Sequence, residues 1–110
     1  MLPAVRNLLS TAQKTGQGSA EEVSRLLDQK SLRLEHLVSH GQPSPPGFWY
    51  DQPDEEWVLL LRGTAVLAFE TGTLDLVAGD SLTIPARLRH RVERASEDAV
   101  WIALHFATRG

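Results

Sequence analysis

The stretch Gly79-Asp80-Ser81-Leu82-Thr83-Ile84-Pro85-Ala86-Arg87-Leu88-Arg89-His90-Arg91-Val92 constrains the fold more than any other part of the chain. Gly79-Asp80 is a turn signal, because glycine accepts positive φ and aspartate can bond its own backbone. Ser81 to Ile84 then alternates polar and apolar residues, as a half-buried strand does. Pro85 ends that strand, since it cannot donate to a central ladder. His90 opens a second alternating run, with Val92 on its face and Arg91 and Glu93 on the other.

The same period of two recurs along most of the chain. From Ser31 onward, Leu32, Leu34, His36 and Val38 share one face while Arg33, Glu35 and Leu37 share the other. Gln42 to Gly47 holds three prolines and reads as a stiff connection. Trp57 to Arg62 is apolar on both faces, so this strand must be covered on both sides. Gly63-Thr64 turns into Ala65 to Glu70, Thr71-Gly72 has the look of a hairpin tip, and Thr73 to Val77 returns. Ala95 to Asp98 is a polar turn, and Val100 to Phe106 is a last strand on which Trp101, Ala103 and His105 share a parity. Helical signals are confined to the N-terminal segment. Ser19 and Glu22 have capping-box spacing, and Val23, Leu26 and Leu27 supply one apolar side, which predicts a helix ending near Gln29. Met1 to Ala12 fits either a helical stripe through Leu2, Val5, Leu8 and Leu9 or an extended segment, and Lys14 to Gly18 reads as a linker. Regular short strands after one helix predict an all-β, small antiparallel barrel or jelly roll. Residues 1–30 form an N-terminal segment packing on a barrel built from residues 31–110, in a single domain.

Length and charge narrow the function classes. A chain of 110 residues suits one domain, since two would be too small to bury separate cores. A net charge of −3 gives no electrostatic reason to expect nucleic acid or an anionic membrane as a partner. No apolar run approaches the roughly 20 residues that span a bilayer. The N-terminus lacks a basic segment leading into an apolar core, so a cytoplasmic protein is expected. With no cysteine, any metal site would have to use imidazole, carboxylate, amide or water.

The spacing of Gly79, Pro85 and His90 resembles the second motif of the cupin superfamily: Gly, five residues, Pro, and a metal-binding His five positions later. The family's Gly two residues after the Pro is replaced by Arg87, and its late Asn by Arg94. Upstream, Glu56 and Gly63 match the end of the first motif, in which six residues separate Glu and Gly. The His-x-His pair that should precede Glu56 is missing. Its places fall on Trp49 and Asp51, or on Tyr50 and Gln52, depending on the gap. The string Gly41 to Gln52 followed by Glu56 to Leu61 is similar to a group of small, single-domain bacterial cupins. The resemblance extends from about Ser31 to Phe106 and implies a cupin-like barrel with a divalent metal (Zn, Fe, Mn or Ni) in its mouth.

The ligand set that the resemblance implies begins with Glu56 and His90. Asp51 or Gln52 would stand near the missing pair, and His36 and His105 lie on neighbouring strands as further candidates. Strand parity lets Asp51 or Gln52 face inward, but not both. A site with fewer imidazoles holds a transition metal less tightly. Among the clustered Arg87, Arg89, Arg91 and Arg94, it is Arg94 that shares parity with His90 and could meet an anionic substrate. Trp49 and Tyr50, beside the Pro-rich connection, are candidates for the wall of a ligand pocket, whereas Trp57 and Trp101 suit packing. Two readings follow: a metal-binding cupin acting on a small polar molecule, or a metal-free, non-catalytic cupin serving as a ligand-binding, regulatory or assembly module. The apolar row Trp57, Leu59 and Leu61, opposite Val58 and Leu60, predicts a homodimer.

Overall fold

The computed structural model describes residues 2–9 and 22–107. Eight strands account for most of them: β1 (Glu22–Gln29), β2 (Leu32–Val38), β3 (Glu55–Arg62), β4 (Thr64–Phe69), β5 (Gly72–Val77), β6 (Ser81–Ile84), β7 (His90–Ala95) and β8 (Val100–Phe106). They form two antiparallel sheets, a five-stranded one ordered β1-β2-β8-β3-β6 and a three-stranded one ordered β5-β4-β7. The expected all-β antiparallel architecture is present. Its ladders make two facing sheets among the described residues rather than one closed ring.

The core lies between the sheets, and the registers show which side chains enter it. Val58, Leu60, Trp101, Ala103 and Ile84 come from the larger sheet, and Ala65, Leu67 and Leu76 from the smaller. On β2 the residues opposite Trp101 and Ala103 are Leu37 and Glu35, so the face carrying Arg33, Glu35 and Leu37 points inward. The more apolar face of β2, with Leu34, His36 and Val38, points outward. There Val38 and Val100 form a second small cluster with Leu9 and Leu61. The N-terminal residues thus cover part of the outer face, as apolar surface on both sides of a sheet requires.

The helix expected to end near Gln29 is corrected: Glu22–Gln29 is a strand, hairpinned to β2 through Lys30 and Ser31. The residues of the proposed cap that precede Glu22, and the linker at Lys14 to Gly18, lie outside the described residues. The cause of the misreading is a bulge between Arg25 and Leu27. One extra residue breaks the period of two, so Ser24 and Leu27 pair on the same side with His36 and Leu34. Apolar residues at Val23, Leu26 and Leu27 then imitate helical spacing. A helix this short is marginal by itself, whereas a strand pairs along the whole length of β2.

Two positive-φ positions shape the ends of the strands. Gly63 (φ +87°) turns β3 into β4 under Ser96 and Ala99, where an added Cβ would lie 2.4 Å from Ser96 Oγ and 2.9 Å from Ala99 Cα. Arg87 has φ 67°, the sole positive-φ residue other than glycine among those described. It occupies the position where the cupin pattern has glycine, and its backbone N–H donates to the Gln52 carbonyl at 2.8 Å.

Candidate functional site

A cavity of about 80 Å³ opens between the sheets, lined mostly by Leu37, Val58, Leu67, Ile84, Val92 and Trp101 and carrying four polar side chains, Tyr50, Gln52, Glu56 and His90. Each polar group arrives from a different part of the chain. Glu56 sits on the inner face of β3, one pleat before Val58. His90 opens β7 in the opposite sheet and is held on its free edge by a reciprocal bridge to Tyr50, with N···O distances of 2.7 and 3.1 Å. The Tyr50 ring stacks on the His90 ring at 5.3 Å, and Phe48 meets Tyr50 edge-on at 4.8 Å. The Pro-rich connection stays in place because Arg91 donates to the carbonyls of Ser44 and Pro45, and Ser44 pairs with Val92.

Glu56 and His90 meet across the gap between the sheets. His90 Nε2 is 3.4 Å from Glu56 Oε1, with the side chains 8% and 12% exposed. His90 Nδ1–H donates to the Leu88 carbonyl at 2.9 Å, since a carbonyl can only accept, and this leaves Nε2 as the atom that faces Glu56. Burial alone would push the His90 pKa down. The Glu56 carboxylate and the Leu88 carbonyl outweigh it, and the pKa is raised above 6.5. The 3.4 Å separation exceeds the roughly 2.7–2.9 Å of a short charge-assisted hydrogen bond, and Glu56 Oε1 is buried without a hydrogen-bond partner. An acceptor with spare capacity therefore stands beside a ring nitrogen that donates once His90 is protonated, in a cavity whose other walls are mostly apolar.

Behind Glu56 is His105, its cross-strand partner on β8. His105 Nε2 lies 3.1 Å from Glu35 Oε1 and 3.7 Å from Glu56 Oε2. His105 also borders a polar cleft of about 230 Å³ that includes Lys30, Arg33 and Asp54. Glu35 carries no signal of a site in the sequence, because it stands between Leu34 and His36 on what looks like the solvent face of a strand. Only the inward orientation of that face brings it to His105.

The remaining candidates scatter. Gln52 lines the cavity, and Asp51 points outward to Arg87 at 3.3 Å, so parity selects the amide over the carboxylate. His36 is corrected as a site residue: it is 2% exposed but on the outer face of β2, beneath the N-terminal segment. There burial and the Arg6 charge lower its pKa, against a hydrogen bond with the Leu8 backbone. Arg94 is also turned away from the cavity. The register shift between Val66 and Leu67 inserts Glu93 as an extra residue on β7, so Arg94 pairs with Val66 on the outer face and Ala95 takes the inward place. Trp49 stacks under Arg89 at 5.5 Å, outside the cavity lining, and only Tyr50 of the aromatic pair forms a wall.

The metal that the resemblance implies does not fit these donors. Among the described residues no three His, Asp or Glu side chains are grouped to hold an ion. His105 is engaged by Glu35, Asp51 by Arg87, and His36 lies on the other face. What remains is one imidazole, one carboxylate and the Gln52 amide, short of the three strong donors a protein site usually gives a transition ion.

Two antiparallel sheets enclosing a cavity, with a carboxylate and an imidazole facing each other across it, define the class as a small double-sheet β-protein with an internal pocket. Residues 36–105 match the family model described as the cupin domain, and the chain belongs to the cupin family. A solved protein of Ralstonia eutropha JMP134, provisionally named a mannose-6-phosphate isomerase, is 39% identical with a TM-score of 0.87, over 96% of this chain and 100% of its own. A cupin superfamily protein of Desulfitobacterium hafniense DCB-2 has TM-score 0.76 at 19% identity, over 97% of this chain and 95% of its own. KdgF of a Halomonas species has TM-score 0.69 at 15% identity, over 82% and 81%. The last two likenesses concern the fold alone. None of the curated proteins matches. No helix among the described residues is long and apolar enough to cross a membrane.

Proposed function

We propose that this cupin binds a small polar molecule between its sheets through Glu56 and His90, without a metal ion. The observation that carries the reading is the buried, hydrogen-bond-deficient Glu56 Oε1 beside His90 Nε2. A buried carboxylate–imidazole pair in a mostly apolar cavity is the usual mark of a binding or reacting site. Protonated His90 donates from Nε2 to a ligand oxygen, and Glu56 Oε1 accepts from a ligand hydroxyl. Gln52 offers both a donor and an acceptor, and Tyr50 closes one side. A hydroxy-carbonyl compound presents both complementary groups. The same pair contains a base and an acid, the minimum for moving a proton within such a compound, and the provisional isomerase name of the Ralstonia protein supports that direction. The metal-binding reading is favoured by the same atom, since Glu56 Oε1 would also suit a cation, and is opposed by the shortage of donors. Cysteine-free composition fits a cytoplasmic setting, and we propose pairing into a homodimer through the outer face that bears Trp57.

The test is an NMR titration of chelator-washed protein, prepared without a nickel column, with mannose 6-phosphate and dihydroxyacetone as probes. The reading expects shifts confined to Tyr50, Gln52, Glu56 and His90, unaffected by chelator and lost in His90→Ala. Stoichiometric metal in elemental analysis, with binding that chelator abolishes, would transfer the assignment to the metal reading. Silence of the cavity resonances toward both probes counts against the proposed ligand class.

A further inference from the structure

Four ionisable side chains form a row that starts at the edge of the smaller sheet and runs into the larger one. His90 Nε2 faces Glu56 Oε1 at 3.4 Å, and Glu56 Oε2 faces His105 Nε2 at 3.7 Å. The same His105 Nε2 donates to Glu35 Oε1 at 3.1 Å. Glu35 is anchored in turn, its Oε2 accepting from Arg33 Nε at 2.9 Å with Arg25 Nε at 3.8 Å. A carboxylate accepts only, so the hydrogen on His105 must be at Nε2, and His105 Nδ1 is left buried without a partner. The ring is therefore oriented from its carboxylate side alone. His105 is 5% exposed, and neither it nor Glu35 lines the cavity that holds Glu56 and His90. Apolar residues of similar volume would fill this space without the desolvation cost of two acids and an imidazole. What the row supplies is a carboxylate backed by an imidazole, with Oε2 facing His105 Nε2 at ion-pair rather than hydrogen-bond distance and Oε1 open.

We propose that Glu35 and His105 are positioning residues for the site: Glu35 orients His105, and His105, 3.7 Å from Glu56 Oε2, attracts that oxygen electrostatically so that Oε1 is presented to His90 and the cavity. The inference rests on the reading of Glu56 and His90 as the ligand-binding pair. The ionisable side chains around His90 are Glu56 from β3 and Tyr50 from the segment before it, with His105 and Glu35 behind Glu56. Its neighbours Arg89 and Arg91 turn outward, to Glu70 and to Glu93 and Ser44.

The experiment follows the His90 ring signal by NMR against pH, in chelated full-length protein, for wild type, Glu56→Gln, Glu35→Gln, Glu35→Asp and Glu93→Gln. Glu56→Gln lowers the His90 titration midpoint by removing its partner. In Glu35→Gln the His105 N–H turns wholly to Glu56 and draws its charge from His90, so the midpoint falls by on the order of half a pH unit. Glu35→Asp keeps the charge but is one methylene short of His105, and the midpoint falls there too. Glu93→Gln, on the exposed side of β7, stays close to wild type. If Glu35→Asp titrates as wild type while Glu56→Gln falls, Glu35 acts by charge or packing, and positioning is overturned with the binding pair intact. If Glu56→Gln itself leaves the midpoint unchanged, the binding pair fails. Should Glu35→Gln not fold, Glu35→Asp alone decides, since it preserves the charge that Arg33 and Arg25 require.

Discussion

Arg87→Gly is expected to be more stable than Arg87→Ala, a reversal of the usual order for the two residues. At φ 67° an L-residue lies in the left-handed region, which costs roughly 1–2 kcal/mol that glycine does not incur. Glycine loses more conformational freedom on folding, about 0.5–1 kcal/mol relative to alanine. Both variants lose the Arg87–Asp51 ion pair, whose side chains are 66% and 46% exposed, so that small contribution cancels in the comparison. The balance favours glycine by about 0.5–1 kcal/mol, a few degrees in Tm for a chain of this size. Urea unfolding at neutral pH measures it directly, with unchanged m values as the check that both variants unfold from the same native state. Equal stabilities, or alanine ahead, would mean that the backbone relaxes and that the position does not require the glycine of the family pattern. Relaxation would show near the cavity, because the Arg87 N–H is bonded to the carbonyl of Gln52.

His90→Ala should cost roughly 1–3 kcal/mol, equally with and without chelator, by leaving Glu56 and the Leu88 carbonyl unpaired; a loss confined to metal-containing buffer would restore the metal reading. Because the folded-state pKa of His90 is raised, its pairing with Glu56 contributes fully below pH 6.5 and is lost as pH rises through the folded value. The stability gap between wild type and Glu56→Gln should therefore shrink with increasing pH, and a gap that grows would contradict the pairing. Gly63→Ala should cost about 3 kcal/mol or more, since a left-handed residue must also displace Ser96 Oγ from its bonds to Thr64 and Asp98; a loss under about 1 kcal/mol in urea unfolding would show that the turn yields. Light scattering should give the mass of a homodimer, and Trp57→Glu should shift it toward monomer; a monomer at tens of micromolar would refute the pairing.

Local alternation determined where most strands run. Ser81–Ile84 and Val100–Phe106 begin and end in the structure where polar–apolar spacing, Pro85 and the polar turn at Ala95 to Asp98 put them, because a strand's two faces are set residue by residue. Motif spacing brought Glu56 and His90 to one cavity; parity allowed Asp51 or Gln52 beside them but not both, and the structure places Gln52 there. Three matters were decided only in three dimensions. Bulges at Leu26 and Glu93 belong to a pair of strands, not to one, so neither the strand identity of Glu22–Gln29 nor the outward turn of Arg94 could be read along the chain. Which face of β2 is inward was misleading locally: the apolar face with Leu34, His36 and Val38 is outermost, covered in part by Leu9, and the charged face with Arg33 and Glu35 looks inward. A hydrophobic pattern states that a face is covered, not by what. Here the inner face is covered by the second sheet and the outer face in part by the N-terminal residues, and the polar residues stand inside because they surround His105 and Glu56, at the point where the interior departs from an apolar core.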